Sequence, residues 1–201
     1  MAPIPDDADI YLIAVTDTAI AQVAEEIGDV NGLVVHTAGS VALDVLPQRR
    51  RGVMYPMQTF SKDRDVDMSR VPFFVESDTD LDPLLQLANT LSRHVTVADY
   101  DTRSTLHLAA VFCNNFTNRM MTIADGILQK HGIPFCTMLP LIEETVAKVH
   151  DMCPQKAQTG PAVRWDVDVM NKHLDMLTDS RTKDIYRLVS QDIHDDKLRS
   201  E

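Results

Sequence analysis

The residues of this chain best suited to moving a proton or orienting a polar ligand gather in one run, Thr105 to Lys130, TLHLAAVFCNNFTNRMMTIADGILQK. His107, Asn114 and Asn118 stand at i, i+7 and i+11, one face of an α-helix, with Asn115 at its edge. Histidine is the side chain that changes charge near neutral pH, so His107 is the candidate general acid or base of this stripe. Asn114 and Asn118 are the candidates for orienting a substrate or holding a water; the alternative is that they satisfy a helix or subunit contact.

A second set of polar residues comes after three apolar runs of strand length. Val15, Thr16 and Asp17 end and follow IYLIAV, His36, Thr37, Gly39 and Ser40 end and follow LVVHT, and Tyr55, Pro56, Gln58, Thr59 and Ser61 end and follow GVMY. Ligands of open α/β sheets sit beyond the carboxyl ends of strands, so three such clusters on consecutive parallel strands converge on one rim. Backbone N–H groups and hydroxyls there suit a cofactor's ribose or nicotinamide side. Each member also has a plainer reading: Thr16 and Asp17 as helix caps, His36 as a packed histidine, Ser40 as a cap, Tyr55 as an amphipathic cover and Gln58 as a loop stabiliser.

Further along, Gln158, Thr159, Gly160, Pro161, Arg164 and Asp166 offer amide, hydroxyl and guanidinium groups on a rigid turn that could clamp a carboxylate or phosphate, while Asp166 or Asp168 could instead cap a helix. Glu144 and Lys148 are spaced as an i, i+4 pair, and the sign-alternating Lys62 to Asp67 stretch reads as a solvated loop. No Ser–His–Asp grouping, His-x-x-His pair or nucleophile elbow occurs, which argues against hydrolase and metalloenzyme readings, so no metal site is expected. Cys113, Cys136 and Cys153 are odd in number and form no ligand pair.

The elements that must position these groups change character near Asp99 to Arg103. Before it, strand-length apolar runs at Ile10 to Val15, Leu33 to Thr37, Gly52 to Tyr55, Phe73 to Glu76 and Val95 to Ala98 alternate with helical patterns at Ile20 to Ile27 and Asp80 to Ser92. This order predicts an α/β fold with a small parallel sheet, Ile10 to Val15 being a fully covered strand. After it the period is 3.6 throughout. We expect one long, mostly buried helix over the Thr105 to Lys130 run, about seven turns, then helices near 135–152, 168–178 and 181–194, with Pro140 kinking the first of these or marking its true first turn. Domains are accordingly expected at 1–100 and 101–201.

A chain of 201 residues with 44% apolar content can bury a sizeable core, and its formal net charge of −11 disfavours nucleic acid and anionic membrane as partners. The opening MAPIPDDAD has neither a basic patch nor an apolar signal segment, so the cytoplasm is the default location. No G-x-G-x-x-G occurs anywhere.

Four stretches carry a family resemblance: ADIYLIAVTD (8–17), LVVHTAGSVALDVL (33–46), RGVMYPMQTFSKDRDVD (51–67) and LIEETVAKVHDMCPQKAQTGPAVRWD (141–166). With HTAGS, YPMQTFS and QTGPA in this order, the chain resembles the DUF2520 family of Rossmann-like NAD(P)-dependent oxidoreductases, distantly similar to pyrroline-5-carboxylate reductase and 6-phosphogluconate dehydrogenase. The resemblance covers nearly the whole chain, and because the Gly-rich loop is missing it is to an amino-terminally truncated member. It implies a partial Rossmann-like parallel sheet followed by an all-helical carboxy-terminal domain that forms a homodimer. It also implies an NADP or NAD cofactor, for which the strand-end residues Val15, Thr16, Asp17, His36, Ser40, Tyr55, Gln58 and Thr59 read above are the candidate contacts; a small polar or acidic substrate is expected near His107, Asn114 and Asn118 of the helix stripe. Two functions are consistent with this: an oxidoreductase, impaired in cofactor binding as this chain stands, and a non-catalytic homodimer that binds a small metabolite.

Overall fold

The computed structural model describes residues 4–200. Five strands, β1 (Ile10–Ile13), β2 (Leu33–His36), β3 (Arg51–Pro56), β4 (Phe73–Ser77) and β5 (Val95–Val97), form one sheet in the order β1-β2-β3-β4-β5. β1, β2 and β3 pair in parallel, with Ile13, His36 and Val53 in one cross-strand row, and β4 pairs β5 in parallel. The Rossmann-like parallel arrangement thus holds on both sides of one antiparallel pair, β3 with β4. That reversal has a local cause. The chain between β3 and β4 contains only a 3₁₀ turn, Met68–Arg70, and no crossover α-helix to carry it back to the starting edge.

Alternation along the strands divides the core into two faces. Tyr11, Ile13, Val34, Val53 and Tyr55 pack on one face with Ile20 and Ala24 of α1 (Ile20–Ile27). Leu33, Val35, Met54, Phe73 and Val75 pack on the other with Leu84 and Ala88 of α2 (Leu81–Leu91). β2 is buried at all four positions because helices or loops cover it on both sides, which is why it reads as an unbroken apolar run. The same inference fails for β1. It is an edge strand of this sheet and Leu12 is 50% exposed, so Tyr11 and Ile13 are its buried residues and Ile10 packs only partly buried against the other face.

Helices begin where the sequence period changes. Asp99 caps α3 (Tyr100–Ala110) by accepting a hydrogen bond from the Thr102 N–H at 2.9 Å. A π-helical segment, Val111–Phe116, comes next, and then α4 (Thr117–Gln129). The expected single, mostly buried α-helix is therefore corrected twice. Its α phase is interrupted, and among the described residues of 100–129 the buried side chain is Arg103, not an apolar one. Apolar spacing identified the helix but could not say what covers it, and Leu108 and Phe112 are each 61% exposed in the single chain.

By compactness the chain divides into two units that meet in sequence between Asn118 and Arg119. The second unit contains α5 (Leu139–Asp151), α6 (Pro154–Ala157), α7 (Val167–Met176) and α8 (Ser180–Arg199). Pro140 lies in the first turn of α5, where its missing N–H costs nothing, and Asp166 caps α7 by accepting from the Val169 N–H. Gly160 of the QTGPA stretch has φ +111° and Trp165, three residues past it and unusually for a large side chain, has φ 52°, so the chain between α6 and α7 holds two positive-φ positions. No described helix is long and apolar enough to cross a membrane.

Candidate functional site

The parallel pairing of β1, β2 and β3 brings their carboxyl ends, and the polar residues beyond them, to one edge of the sheet. Val15 and Thr16 are exposed beyond β1, and the Thr16 side chain makes no capping bond to the 3₁₀ turn Asp17–Ala19 that it precedes. Asp17 instead accepts a 2.7 Å hydrogen bond from the Ser40 hydroxyl, which ties the loop after β1 to the loop after β2. Ser40 is therefore spent on a loop bridge.

His36, the last residue of β2, is fully buried. Its Nδ1 accepts from the Ala38 N–H at 3.2 Å, which places the proton on Nε2, and Nε2 has no hydrogen-bond partner among the described residues. Burial, reinforced by the Arg103 charge, lowers the His36 pKa from 6.5 to about 4, against smaller opposing effects of Ala42 and Asp17. His36 is neutral at physiological pH and lies beneath the rim.

Gly39 lets Tyr55 approach: a Cβ there would meet the Tyr55 ring at 2.7 Å. The ring, itself buried, reaches over the loop so that its hydroxyl lies 3.3 Å from Nδ1 of His107 on α3, with the two rings edge-on at 5.9 Å. Burial raises the Tyr55 pKa, so the phenol keeps its proton and can donate it to His107 Nδ1. In that tautomer the single ring N–H of His107 is on Nε2.

One turn before His107, Arg103 is fully buried and holds this part of the molecule together. Its Nη1 donates to the carbonyls of Ala38, Gly39 and Val41 at 3.2–3.3 Å, while Nε and Nη2 both donate to the Glu76 carboxylate on β4. One guanidinium thus joins the β2 loop, β4 and α3. The sequence reading missed Arg103 and Glu76. The available signal was that Arg103 is the only Lys or Arg between residues 100 and 118 and lies at i−4 from His107.

Past Tyr55, Gln58 Oε1 accepts from the Thr59 N–H at 2.8 Å. Gln58 and Thr59 form one wall of an open cleft of about 360 Å³, and the other wall is Leu106, Ala109 and Ala110 of α3 with Cys113, Asn114 and Asn115 of the π segment; His107 is not among its lining residues. Asn114 lines this cleft, while Asn118 does not. The expected His107–Asn114–Asn118 stripe is broken by the π segment. Closing i→i+5 instead of i→i+4 takes one extra residue per turn, which rotates the later residues of the helix by about 100°. The structure therefore joins Tyr55 to His107, joins Asp17 to Ser40, and gathers Gln58, Thr59 and Asn114 around the cleft. No cluster of three or more His, Cys, Asp or Glu suited to a metal ion occurs among the described residues.

Residues 71–193 match the family described as Domain of unknown function (DUF2520). A solved structure from Bacteroides fragilis, described as a "putative NADP oxidoreductase", is 44% identical over 96% of this chain and 78% of its own, with a TM-score of 0.89. The chain belongs to the DUF2520 family. Two more distant structures share the Rossmann-like fold of this DUF2520 chain. They are a Thermotoga maritima protein at 19% identity and TM-score 0.74, covering 94% of this chain and 78% of its own, and an imine reductase of Myxococcus stipitatus solved with NADP⁺ at 16% and 0.55, covering 94% and 73%. No curated protein matches. The DUF2520 match at 71–193 takes in Glu76, Arg103, His107 and Asn114, whereas the rim from Val15 to Thr59 lies outside it and falls within the span aligned to the Bacteroides protein only as part of that 96% coverage.

Proposed function

We propose that this chain is an NAD(P)-dependent oxidoreductase that acts on a small polar substrate at the rim of its parallel strands, with His107 as the proton donor and Tyr55 as its partner. The observation that carries the reading is the Tyr55–His107 pair, built at the carboxyl-end rim of a Rossmann-like sheet in a chain 44% identical to a protein described as a "putative NADP oxidoreductase". The rim residues suit one end of such a cofactor. The exposed Thr16 hydroxyl and the backbone after Val15 are uncharged donors and acceptors, apt for a carboxamide and ribose hydroxyls, whereas Gln58 and Thr59 stand on the wall of the neighbouring cleft. When bound, the cofactor would supply the hydride.

The chain's own residues supply the proton and the order. In the tautomer where Tyr55 donates to His107 Nδ1, Nε2 carries the ring N–H; as Nε2 passes that proton to a substrate heteroatom, Nδ1 takes the phenol proton, so the imidazole stays neutral and the negative charge rests on Tyr55. Arg103 keeps the β2 loop and α3 in register, and Gly39 admits the Tyr55 ring. Asn114, on the cleft wall, orients the substrate. Because these 201 residues contain no G-x-G-x-x-G, the cofactor's pyrophosphate lacks its usual backbone donors within them, and affinity of this polypeptide for NADPH is correspondingly weak.

The proposed homodimer rests on the helical unit. Among its described residues Ala162 is the only buried apolar one, while Leu141, Met176 and Leu188 are 65%, 70% and 75% exposed. Such a set of amphipathic helices needs a second copy to cover it. Sedimentation should give a dimer at micromolar concentration, and a folded monomer would count against it.

The functional test uses the chain extended ahead of Ala8 by a strand–G-x-G-x-x-G–helix unit. NADPH consumption with a panel of small carbonyl and imine compounds is expected, and His107→Gln should lower turnover about 10²–10⁴-fold while leaving NADPH affinity unchanged. Undiminished turnover in that variant would remove His107 from the chemistry. Binding of metabolites without any turnover would favour the non-catalytic reading.

A further inference from the structure

The cleft between Gln58–Thr59 and the π segment differs in chemistry from the surfaces around it. Charged residues make up 24% of the chain, and none of them lines this cleft. On the other side of the same Gln58–Thr59 wall a separate groove is lined by Arg64, Asp65, Asp67 and Arg70. The Gln58–Thr59 wall therefore separates an ionic groove from a neutral one.

The neutral cleft offers unspent hydrogen-bonding capacity over an apolar floor. The floor is Met57, Leu106 and Ala110. Gln58 uses its carbonyl oxygen on the Thr59 N–H, which leaves its amide hydrogens available. The carboxamides of Asn114 and Asn115 take no hydrogen bond among the described residues, and both lie in the π segment. Asn114 and Asn115, adjacent in this π turn, both line the cleft, and the i→i+5 closure sets them in a different phase from α3. Thr117 Oγ stabilises this departure by donating to the Phe112 carbonyl at 3.2 Å.

We infer that the cleft is the substrate subsite and that it takes an uncharged molecule, an apolar body of roughly ring size carrying a neutral carbonyl, imine or carboxamide, in preference to a carboxylate, phosphate or ammonium compound. This rests on the oxidoreductase reading for the word substrate, and narrows the small polar or acidic substrate class to its neutral members. Carboxamides donate and accept equally well, so they pair with a neutral polar group. They give a bare charge no counter-ion to offset its lost hydration. The volume, about 360 Å³, is at the small end of ligand pockets.

The test is a binding measurement that needs no turnover, so it stands or falls separately from the catalytic reading. The side-chain NH₂ signals of Gln58, Asn114 and Asn115 are followed by ¹H–¹⁵N NMR while the 201-residue chain is titrated with three probes of one shape: cyclohexanecarboxamide, cyclohexanecarboxylate and cyclohexylmethylammonium. The amide probe is expected to shift all three signals and to bind at least tenfold more tightly than either ion. N114D combined with N115D should lose that preference and admit the ammonium. Equal or tighter binding of the carboxylate overturns the neutral assignment, absence of shifts with every probe overturns the subsite, and displacement of the amide probe by NADPH gives the cleft to the cofactor instead.

Discussion

Replacing Arg103 with alanine should destabilise the sheet unit more than any other single change at the rim. The guanidinium is fully buried, and its loss strands four acceptors at once: the carbonyls of Ala38, Gly39 and Val41 and the Glu76 carboxylate. Each neutral acceptor left without a donor costs about 1 kcal/mol. Removing one partner of a buried ion pair costs about 3–5 kcal/mol in all. Glu76 keeps a 22% exposed side chain, so water can reach it, and we place the expected loss near 3 kcal/mol. Arg103→Met with Glu76→Gln should recover part of it, because the second change removes the uncompensated charge.

The assay should report on the sheet unit alone. Amide hydrogen exchange at Val34, Val35 and Val53, all fully buried, gives its opening free energy directly. A second signature comes from His36. Arg103 contributes to lowering the His36 pKa to about 4, with burial the larger cause. In the variant the value should rise while staying below 6.5, measurable from the ring signals in an NMR titration. Arg187→Ala serves as a control, since its pair with Asp184 is exposed on both sides and its removal should change nothing measurable. A loss under about 1 kcal/mol in Arg103→Ala, or an unmoved His36, would refute the view that this guanidinium organises the rim.

Gly39→Ala should cost about 1–3 kcal/mol and break the Tyr55–His107 hydrogen bond, because the new Cβ falls 2.7 Å from the ring; chemical denaturation and the His107 ring shifts read both effects. The depressed His36 pKa makes stability pH-dependent with a defined sign. The unfolded chain binds the proton below pH 6.5 and the folded chain only below about 4, so stability is full above 6.5 and falls by about 3 kcal/mol as pH drops to 4, a slope that His36→Gln should flatten in denaturation curves. Calorimetric titration of the 201-residue chain with NADH and NADPH should give weak or no binding, and micromolar affinity for either would show that a pyrophosphate site exists without a Gly-rich turn.

How much of this was legible in the residues depended on which force set each feature. β2 and the two core faces arise from side-chain alternation and continuous burial, which composition and spacing encode directly, and so the sheet could be read from LVVH and its neighbours. The rim clusters were legible for the same reason, since parallel pairing forces strand ends to one edge. The pairing partners were not. Asp17 with Ser40 and Tyr55 with His107 are separated by 23 and 52 residues, and nothing local in the chain specifies them. The π segment also escaped reading. VFCNNF has an ordinary helical composition, and a change from i→i+4 to i→i+5 closure leaves no periodic mark over so few residues. Arg103 was hidden most completely. A cation in a helix is taken by default to face water, and its burial makes physical sense only once the three carbonyls of the β2 loop and the carboxylate of Glu76 are seen to converge on it. That convergence adds a polar anchor to the partial packing of Ala38 and Val41 against the core. The loop after β2 leaves Ser40 exposed and Ala38 half-buried, and a charged group supplied from α3 fixes it in place. The same helix that carries the proposed proton donor therefore also fixes the loop against which Tyr55, its partner, is packed, so a displacement of α3 must disturb both halves of the pair together.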